Sequence, residues 1–350
     1  MIKEKQLGII TRGVGGLYGV RPIDSDGNAY DELLCRARGA FRQNHITPTV
    51  GDRVYVTFSG GDNADKDEQD DIAENGKSNA SGGKRHEKKK KSDDIRVDYV
   101  IDEILDRRNL LIRPPVANLD YLFAVIPAAS PAPDLLTVDK LTVIAENYGI
   151  ETVIIVNKCD IDPESAKRIS DIYTLAGYTV FCLSAAVGDG VDALAEYISR
   201  LSGESGHISG AFAGVSGGGK STLMTALFPD LQLKTGNVSR KTERGRHTTR
   251  HVELYPQECG GGYFWLADTP GFSMLDFTRF NFFPYDELAM SFREFNDCLG
   301  ECRYTKCTHL REEGCAVLEK MRSGLISESR HDSYVRIYEE QRSVPEWKRR

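Results

Sequence analysis

Between Gly214 and Thr222 the chain reads Gly-Val-Ser-Gly-Gly-Gly-Lys-Ser-Thr, and this stretch restricts what the rest can fold into. It fits G-x-x-x-x-G-K-[ST], the pattern of a loop that binds phosphate between a β-strand and an α-helix. Gly214, Gly217, Gly218 and Gly219 let the backbone bend, so that successive N–H groups through Val215, Ser216 and on to Thr222 face phosphate oxygens. Lys220 is placed to reach the β- and γ-phosphates, and Ser221 to hold Mg²⁺. Ser209 to Ala213 reads as a short buried strand and Leu223 to Leu227 as the start of a helix, whose N-terminus favours anions. A glycine-rich surface turn would share the composition, but not the strand and helix on either side. The expected ligand is a nucleoside triphosphate.

A chain of 350 residues has room for two or three domains, and 40% hydrophobic residues is ordinary for a globular protein. The N-terminus is charged with no apolar run behind it, and no stretch approaches the length of a membrane-spanning helix. A cytoplasmic, monomeric protein without a membrane partner is expected. The formal net charge of -7 argues against a uniformly basic nucleic-acid binder, though not against local basic patches. Of eight cysteines, four crowd between Cys298 and Cys315, which suits metal binding in a reducing compartment.

The first part of the chain reads as short strands: Leu7 to Thr11, Leu17 to Arg21, Leu33 to Arg38, Arg53 to Phe58, Tyr99 to Leu105 and Leu110 to Arg113. Gly13, Gly15 and Gly16 mark a hairpin between the first two. An OB-type β-barrel over residues 1–113 is expected, with Arg36, Arg38, Arg42 and Arg53 available for phosphate; a purely structural barrel fits the same pattern. Residues 59–94 are rich in Gly, Asn, Asp, Lys and Ser, with a basic run from Lys88 to Lys91. Such a stretch is expected to be a disordered loop inserted between two strands.

From Asp120 the pattern changes to α/β alternation. Tyr121 to Ile126 is an expected strand, Leu136 to Tyr148 a helix, and Thr152 to Val156 a strand running into Asn157-Lys158-Cys159-Asp160. At a strand's C-terminal end, Asp160 can accept from both N1–H and the N2 amino group of guanine, two donors that adenine lacks. A further strand, Thr179 to Leu183, ends in Ser184-Ala185-Ala186, a turn of the kind that closes over guanine in GTPases, and the helix Val191 to Leu201 follows. These guanine motifs precede the phosphate loop, whereas in a GTPase they ordinarily follow it. The domain therefore reads as circularly permuted, with His207 near the join.

Downstream, the polar segment Thr235 to Arg250 carries Gly245-Arg246-His247-Thr248-Thr249 and reads as a switch loop in which Thr249 can reach Mg²⁺ and the γ-phosphate. Tyr263 to Ala267 is an expected strand leading into Asp268-Thr269-Pro270-Gly271, with Asp268 near Mg²⁺ and the Gly271 N–H near the γ-phosphate. Many GTPases carry a water-orienting glutamine next; here it is Phe272.

The permuted order, Gly-Arg-His-Thr-Thr, Asp-Thr-Pro-Gly-Phe and the upstream Ile112-Arg113-Pro114-Pro115-Val116-Ala117-Asn118 resemble the ribosome small-subunit-dependent GTPase A family over nearly the whole chain. The resemblance implies an OB barrel (1–113), a circularly permuted P-loop GTPase domain (114–276) and a helical zinc domain (277–350). It implies GTP hydrolysis during late maturation of the small ribosomal subunit, contact with its rRNA, and His247 as the residue that positions water. Cys302-x4-Cys307-x-His309-x5-Cys315 matches the family's zinc ligands, a closed set of three thiolates and one imidazole that marks a structural site. Cys298 stands outside that pattern and is expected to be a free thiol. Two features depart from the family: residues 59–94 look like an insertion, and Gly218 replaces the usual valine. Helices at Ala316 to Gly324 and Glu328 to Arg342 carry Lys306, Arg311, Arg322 and Arg330 on or near them as candidate RNA contacts. A GTP-gated rRNA-binding scaffold with little turnover and a P-loop ATPase unrelated to ribosomes remain as alternatives; Asp160 argues against the second.

Overall fold

The computed structural model describes residues 5–24, 29–43, 46–59, 97–112, 114–231, 252–268 and 284–344. The expected insertion beyond Ser59, the switch segment with His247 and Thr249, and Gly271 lie outside the described residues.

Five strands, β1 (Gln6–Val14), β2 (Leu17–Pro22), β3 (Leu33–Ala37), β4 (Arg53–Phe58) and β5 (Tyr99–Ile104), close into a barrel in the order β1-β2-β3-β5-β4, with a short helix α1 (Gly39–Gln43) after β3. The pairing of β3 with β5 is parallel and the others are antiparallel, as in an OB fold. Gly15 and Gly16, at φ 62° and 82°, form the two-residue turn of the first hairpin, while Gly13 lies within β1 opposite Tyr18. Alternate residues Ile10, Val20, Cys35, Val54, Val56 and Ile101 fill the barrel.

Leu110 to Arg113 does not add a barrel strand. It forms β6 (Leu110–Ile112), which pairs with β7 (Pro115–Ala117) as a separate hairpin. Its residues join the barrel to the next domain: Ala117 N donates to Val50 O at 2.9 Å, Asn118 Nδ2 donates to Gly51 O at 2.9 Å, and Ser209 Oγ donates to Asn118 O at 2.7 Å. Gly51 is required there, because a Cβ would stand 2.0 Å from Ala117 O at a φ of +91°.

The central sheet comprises β8 (Tyr121–Pro127), β9 (Glu151–Asn157), β10 (Thr179–Leu183), β11 (His207–Gly214), β12 (Glu253–Cys259) and β13 (Gly262–Asp268), in the order β10-β9-β8-β11-β13-β12. All pairings are parallel except that of the edge strand β12 with β13. The helices are α2 (Leu135–Asn147), α3 (Pro163–Leu175), α4 (Val191–Ser205) and α5 (Lys220–Leu227). Alternation along β8 sends Leu122, Ala124 and Ile126 to the core under α2 and α3, and Phe123 and Val125 to the core under α4 and α5.

Two 3₁₀ turns, Tyr285–Ser291 and Arg293–Cys298, and helices α6 (Ala316–Arg322) and α7 (Glu328–Arg342) pack on the α2 side. Arg330 is not an RNA contact. It is fully buried, and its guanidinium donates to Asp139 Oδ1 at 2.6 Å and Thr142 Oγ1 at 3.0 Å on α2 and to Glu294 Oε1 at 2.7 Å. Burial alone would weaken its charge, but the two carboxylates hold it well above the ordinary range. Lys306, Arg311 and Arg322 are exposed. Arg53, also expected to face phosphate, lines a small cavity between barrel and sheet with His207, Arg108 and Asp120, and Arg38 pairs with Asp102 at 2.5 Å. Among the described residues no helix is long and apolar enough to cross a membrane.

Candidate functional site

In a parallel sheet the loops after the strands gather at one edge, and the nucleotide motifs of this chain occupy those loops. Gly214 ends β11 in the middle of the sheet, Asn157 ends β9, Ser184 follows β10 and Asp268 ends β13. The phosphate loop needs its glycines unequally. Gly214 has φ +137° and a Cβ there would lie 2.1 Å from Val125 O; Gly219 has φ +90° and a Cβ would lie 2.2 Å from Asn157 Nδ2. Gly217 has φ +78°. Gly218 is in an ordinary conformation, and a Cβ would meet Val215 O at 3.1 Å.

Asn157 is fully buried and joins three motifs. Its Nδ2 donates to Gly218 O at 2.9 Å, while its Oδ1 accepts from Lys158 N at 2.8 Å and Ala185 N at 3.0 Å. Its side chain thus meets backbone, so it positions the site's loops. Lys158, at φ 65°, extends across the phosphate loop and donates from Nζ to Gly217 O at 2.8 Å and to Ser130 O in the loop after β8. Lys220 Nζ donates to Gly214 O at 2.8 Å and Val215 O at 2.7 Å, and burial lowers its pKa. Ser221 and Thr222 at the start of α5, Asp268 and Asp160 are exposed. Ser184 is buried, and its N–H donates to Asp189 O at 2.9 Å. Cys159 N donates to Leu183 O at 3.2 Å, tying the loop after β9 to the end of β10.

A second cluster lies before α6. The Sγ atoms of Cys302, Cys307 and Cys315 and a ring nitrogen of His309 all fall within 4.8 Å of one another. His309 Nδ1 is 3.5 Å from Cys302 Sγ and 3.4 Å from Cys315 Sγ, and these two sulfurs are 4.0 Å apart. A tetrahedron with metal–sulfur arms of about 2.3 Å has edges of about 3.8 Å, so the donor set fits a tetrahedral thiophilic ion. His309 adopts φ 58°, and its carbonyl is bonded to His331 Nε2 at 2.8 Å. Cys298 is buried outside this quartet as a free cysteine, its thiol raised by burial.

A family model for the RsgA GTPase matches residues 104–278, and one for the RsgA N-terminal domain matches residues 7–64. A curated relative from Ruminiclostridium cellulolyticum, named small ribosomal subunit biogenesis GTPase RsgA, is 36% identical over 98% of this chain and 96% of its own length. The chain belongs to the RsgA GTPase family. A relative of the same name from Caldanaerobacter subterraneus is 35% identical over 96% of each chain. Among solved structures, YjeQ from Thermotoga maritima superposes with a TM-score of 0.72 at 28% identity, covering 98% of this chain and 100% of that one. YloQ, described as a circularly permuted GTPase, gives 0.68 at 29% identity over 98% and 96%. The circular permutation inferred from the motifs agrees with that description of the YloQ structure. The sequence did not single out the loop after β8, whose Ser130 carbonyl receives Lys158, nor Asp120 and Ser209, which lock β11 to the barrel side. Asp120 Oδ2 accepts from Ser209 N at 2.8 Å and Oγ at 2.9 Å. No motif marks such pairs, since their partners are distant in the chain.

Proposed function

We propose that this protein hydrolyses GTP and couples hydrolysis to late maturation and release of the small ribosomal subunit, acting as a cytoplasmic monomer that touches rRNA. The observation that carries this reading is the Asn157 side chain, which holds the guanine motif, the Ser184-Ala185 turn and the phosphate loop in one site. In this reading the amides of residues 214–222 cradle the phosphates, Lys220 meets the β/γ-phosphates, and Asp160 with Ser184 and Ala185 selects guanine. Ser221 and Asp268 offer the hard oxygen donors that Mg²⁺ prefers, with Thr249 as third partner; the ion supplies charge neutralisation on the phosphates. Gly271 senses the γ-phosphate and His247 positions the attacking water, because Phe272 has no hydrogen-bonding group. Zinc is the ion assigned to Cys302, Cys307, His309 and Cys315, where its role is structural. The working units are 1–113, 114–276 and 277–350, the first junction falling within the β6–β7 hairpin.

The test is phosphate release from GTP and from ATP, with and without purified small subunits. The expected outcome is slow release from GTP alone, stimulation by subunits, and no competition by ATP. Tight GTP binding with no release in the presence of subunits would instead establish a GTP-gated scaffold.

A further inference from the structure

Cys159 and Cys182 belong to none of the roles above, beyond the backbone that Cys159 lends to the guanine motif. Along β10, Phe181 and Leu183 pack toward α4, whereas Val180 packs toward α2 and α3, and Cys182 shares the face of Val180. Cys159 packs on the same face. Strand pairing puts Cys182 opposite Val156, and Cys159 Sγ turns back to Val156 O at 3.1 Å. Cys159 N also donates to Leu183 O at 3.2 Å, so the two cysteines sit side by side at the end of β10, each thiol acting on the other. The neighbouring Cys159 thiol lowers the Cys182 thiol to about 6 against the effect of burial, with help from Ser170 on α3. Cys182 is exposed and Cys159 is half-buried.

We propose that Cys159 and Cys182 form a thiol-modification site for hydroperoxides, whose oxidation to a disulfide disables the guanine loop. The exposed Cys182 thiolate attacks one oxygen of a hydroperoxide. An S–O bond forms, the O–O bond breaks, and hydroxide or alkoxide leaves. Cys159 sulfur then attacks the sulfenic sulfur, forming S–S and breaking S–O; its proton departs with the hydroxide as water. The two thiols supply the two electrons that reduce the peroxide. Bonded sulfurs stand about 2.05 Å apart, closer than any two unbonded sulfurs, so closure draws Cys159 toward β10. Asp160, the next residue, moves with it, and its bonds to guanine depend on distances of about 2.7–3.2 Å.

The nucleotide effect rests on the GTP reading, but the disulfide does not. The experiment uses the reduced, metal-loaded full chain, treated with hydrogen peroxide at stoichiometric dose. Peptide mapping is expected to recover a linked Cys159–Cys182 peptide. Affinity for a fluorescent GDP analogue is expected to fall by about tenfold to a hundredfold, the loss of one charged hydrogen bond, and to return with dithiothreitol. Cys182→Ser and, as a second variant, Cys182→Ala should bind like the wild type before treatment and keep their affinity after it. Absence of the linked peptide, or equal loss of affinity in the Cys182 variants, overturns the proposal. Reduced protein that binds no guanine nucleotide would overturn the GTP reading while leaving the linked peptide to be judged on its own.

Discussion

At the scale of single residues, the site separates side chains that face the nucleotide from those that hold the backbone. Asp160 is exposed and in the proposed reading selects the base, whereas buried Asn157 fixes three backbone segments. Asp160→Asn exchanges an acceptor for a donor, leaving one guanine donor unpaired. GTP affinity is expected to fall by about 1.5–3 kcal/mol, with a gain for xanthosine triphosphate, whose carbonyl suits the new amide. Competition binding checks this, and unchanged GTP affinity would remove Asp160 from base selection. The glycines of the loop make a paired prediction. Gly218→Ala meets Val215 O at 3.1 Å, with Pro127 Cδ and Val215 Cγ2 at 3.6 and 3.7 Å, in an ordinary backbone conformation, so a small shift should accommodate it with a stability change under about 1 kcal/mol and nucleotide binding kept. Gly219→Ala would press on Asn157 Nδ2 at 2.2 Å and is expected to lose nucleotide binding. Thermal unfolding and nucleotide titration of the two variants separate these outcomes.

At the scale of elements, the metal loop is organised by a carboxylate as well as by its ligands. Glu312 accepts from Thr308 N at 2.9 Å, Leu310 N at 3.0 Å and Arg311 N at 3.1 Å, and also from the Thr308 hydroxyl. Burial would raise its pKa, but these bonds outweigh burial and hold the carboxyl at about 2, against an ordinary 4.5. A carboxylate lowered in the folded state stabilises fully above its unfolded value and loses that contribution as pH falls below it. Stability of the C-terminal region should therefore decline as pH drops from 4.5 toward 2, and Glu312→Gln should flatten that part of the decline. At neutral pH the variant is expected to cost about 1–2 kcal/mol, read by denaturant unfolding of the metal-loaded protein. A variant with the wild-type acid profile would show that the loop's amides do not depend on this charge.

At the scale of the whole molecule, both flanking domains are joined to the sheet by polar ties. Arg330 on α7 reaches Asp139 on α2 and Glu294, and Lys140 on α2 pairs with Glu340 on α7 at 2.6 Å. Arg330→Ala leaves buried carboxylates without their cation and is expected to cost about 3–5 kcal/mol, whereas breaking an exposed pair such as Lys167 with Asp171 costs little. Chemical denaturation of the two variants side by side checks the contrast. On the barrel side, Asn118 and Asp120 hold β11, the strand that ends in the phosphate loop. If, as proposed, the small subunit binds through the flanking domains, these ties carry its effect to the nucleotide site, and linkage requires the reverse. A non-hydrolysable GTP analogue should give tighter small-subunit binding than GDP, and equal affinities together with equal turnover would exclude the coupling.

Chemistry carried by consecutive residues was legible in the sequence. The phosphate loop, Asn157 to Asp160 and the metal quartet each depend on a short spacing that local backbone geometry preserves, and the permuted order follows from where those motifs stand along the chain. Helix α3 was legible too, through the Asp162 cap and Pro163, but the sequence reading passed over it. Strand β12 is polar and contains Pro256, which only an edge strand tolerates, so its existence depended on β13 beside it. Tertiary structure alone decided that Leu110 to Ile112 leaves the barrel, that Arg53 faces an interior cavity, and that Arg330 is a buried tie. An arginine on a polar helix has the same sequence signature whether it meets water or two carboxylates from elsewhere in the chain. What separates the cases is charge compensation across 191 residues, between Arg330 and Asp139, and only folding brings those groups together.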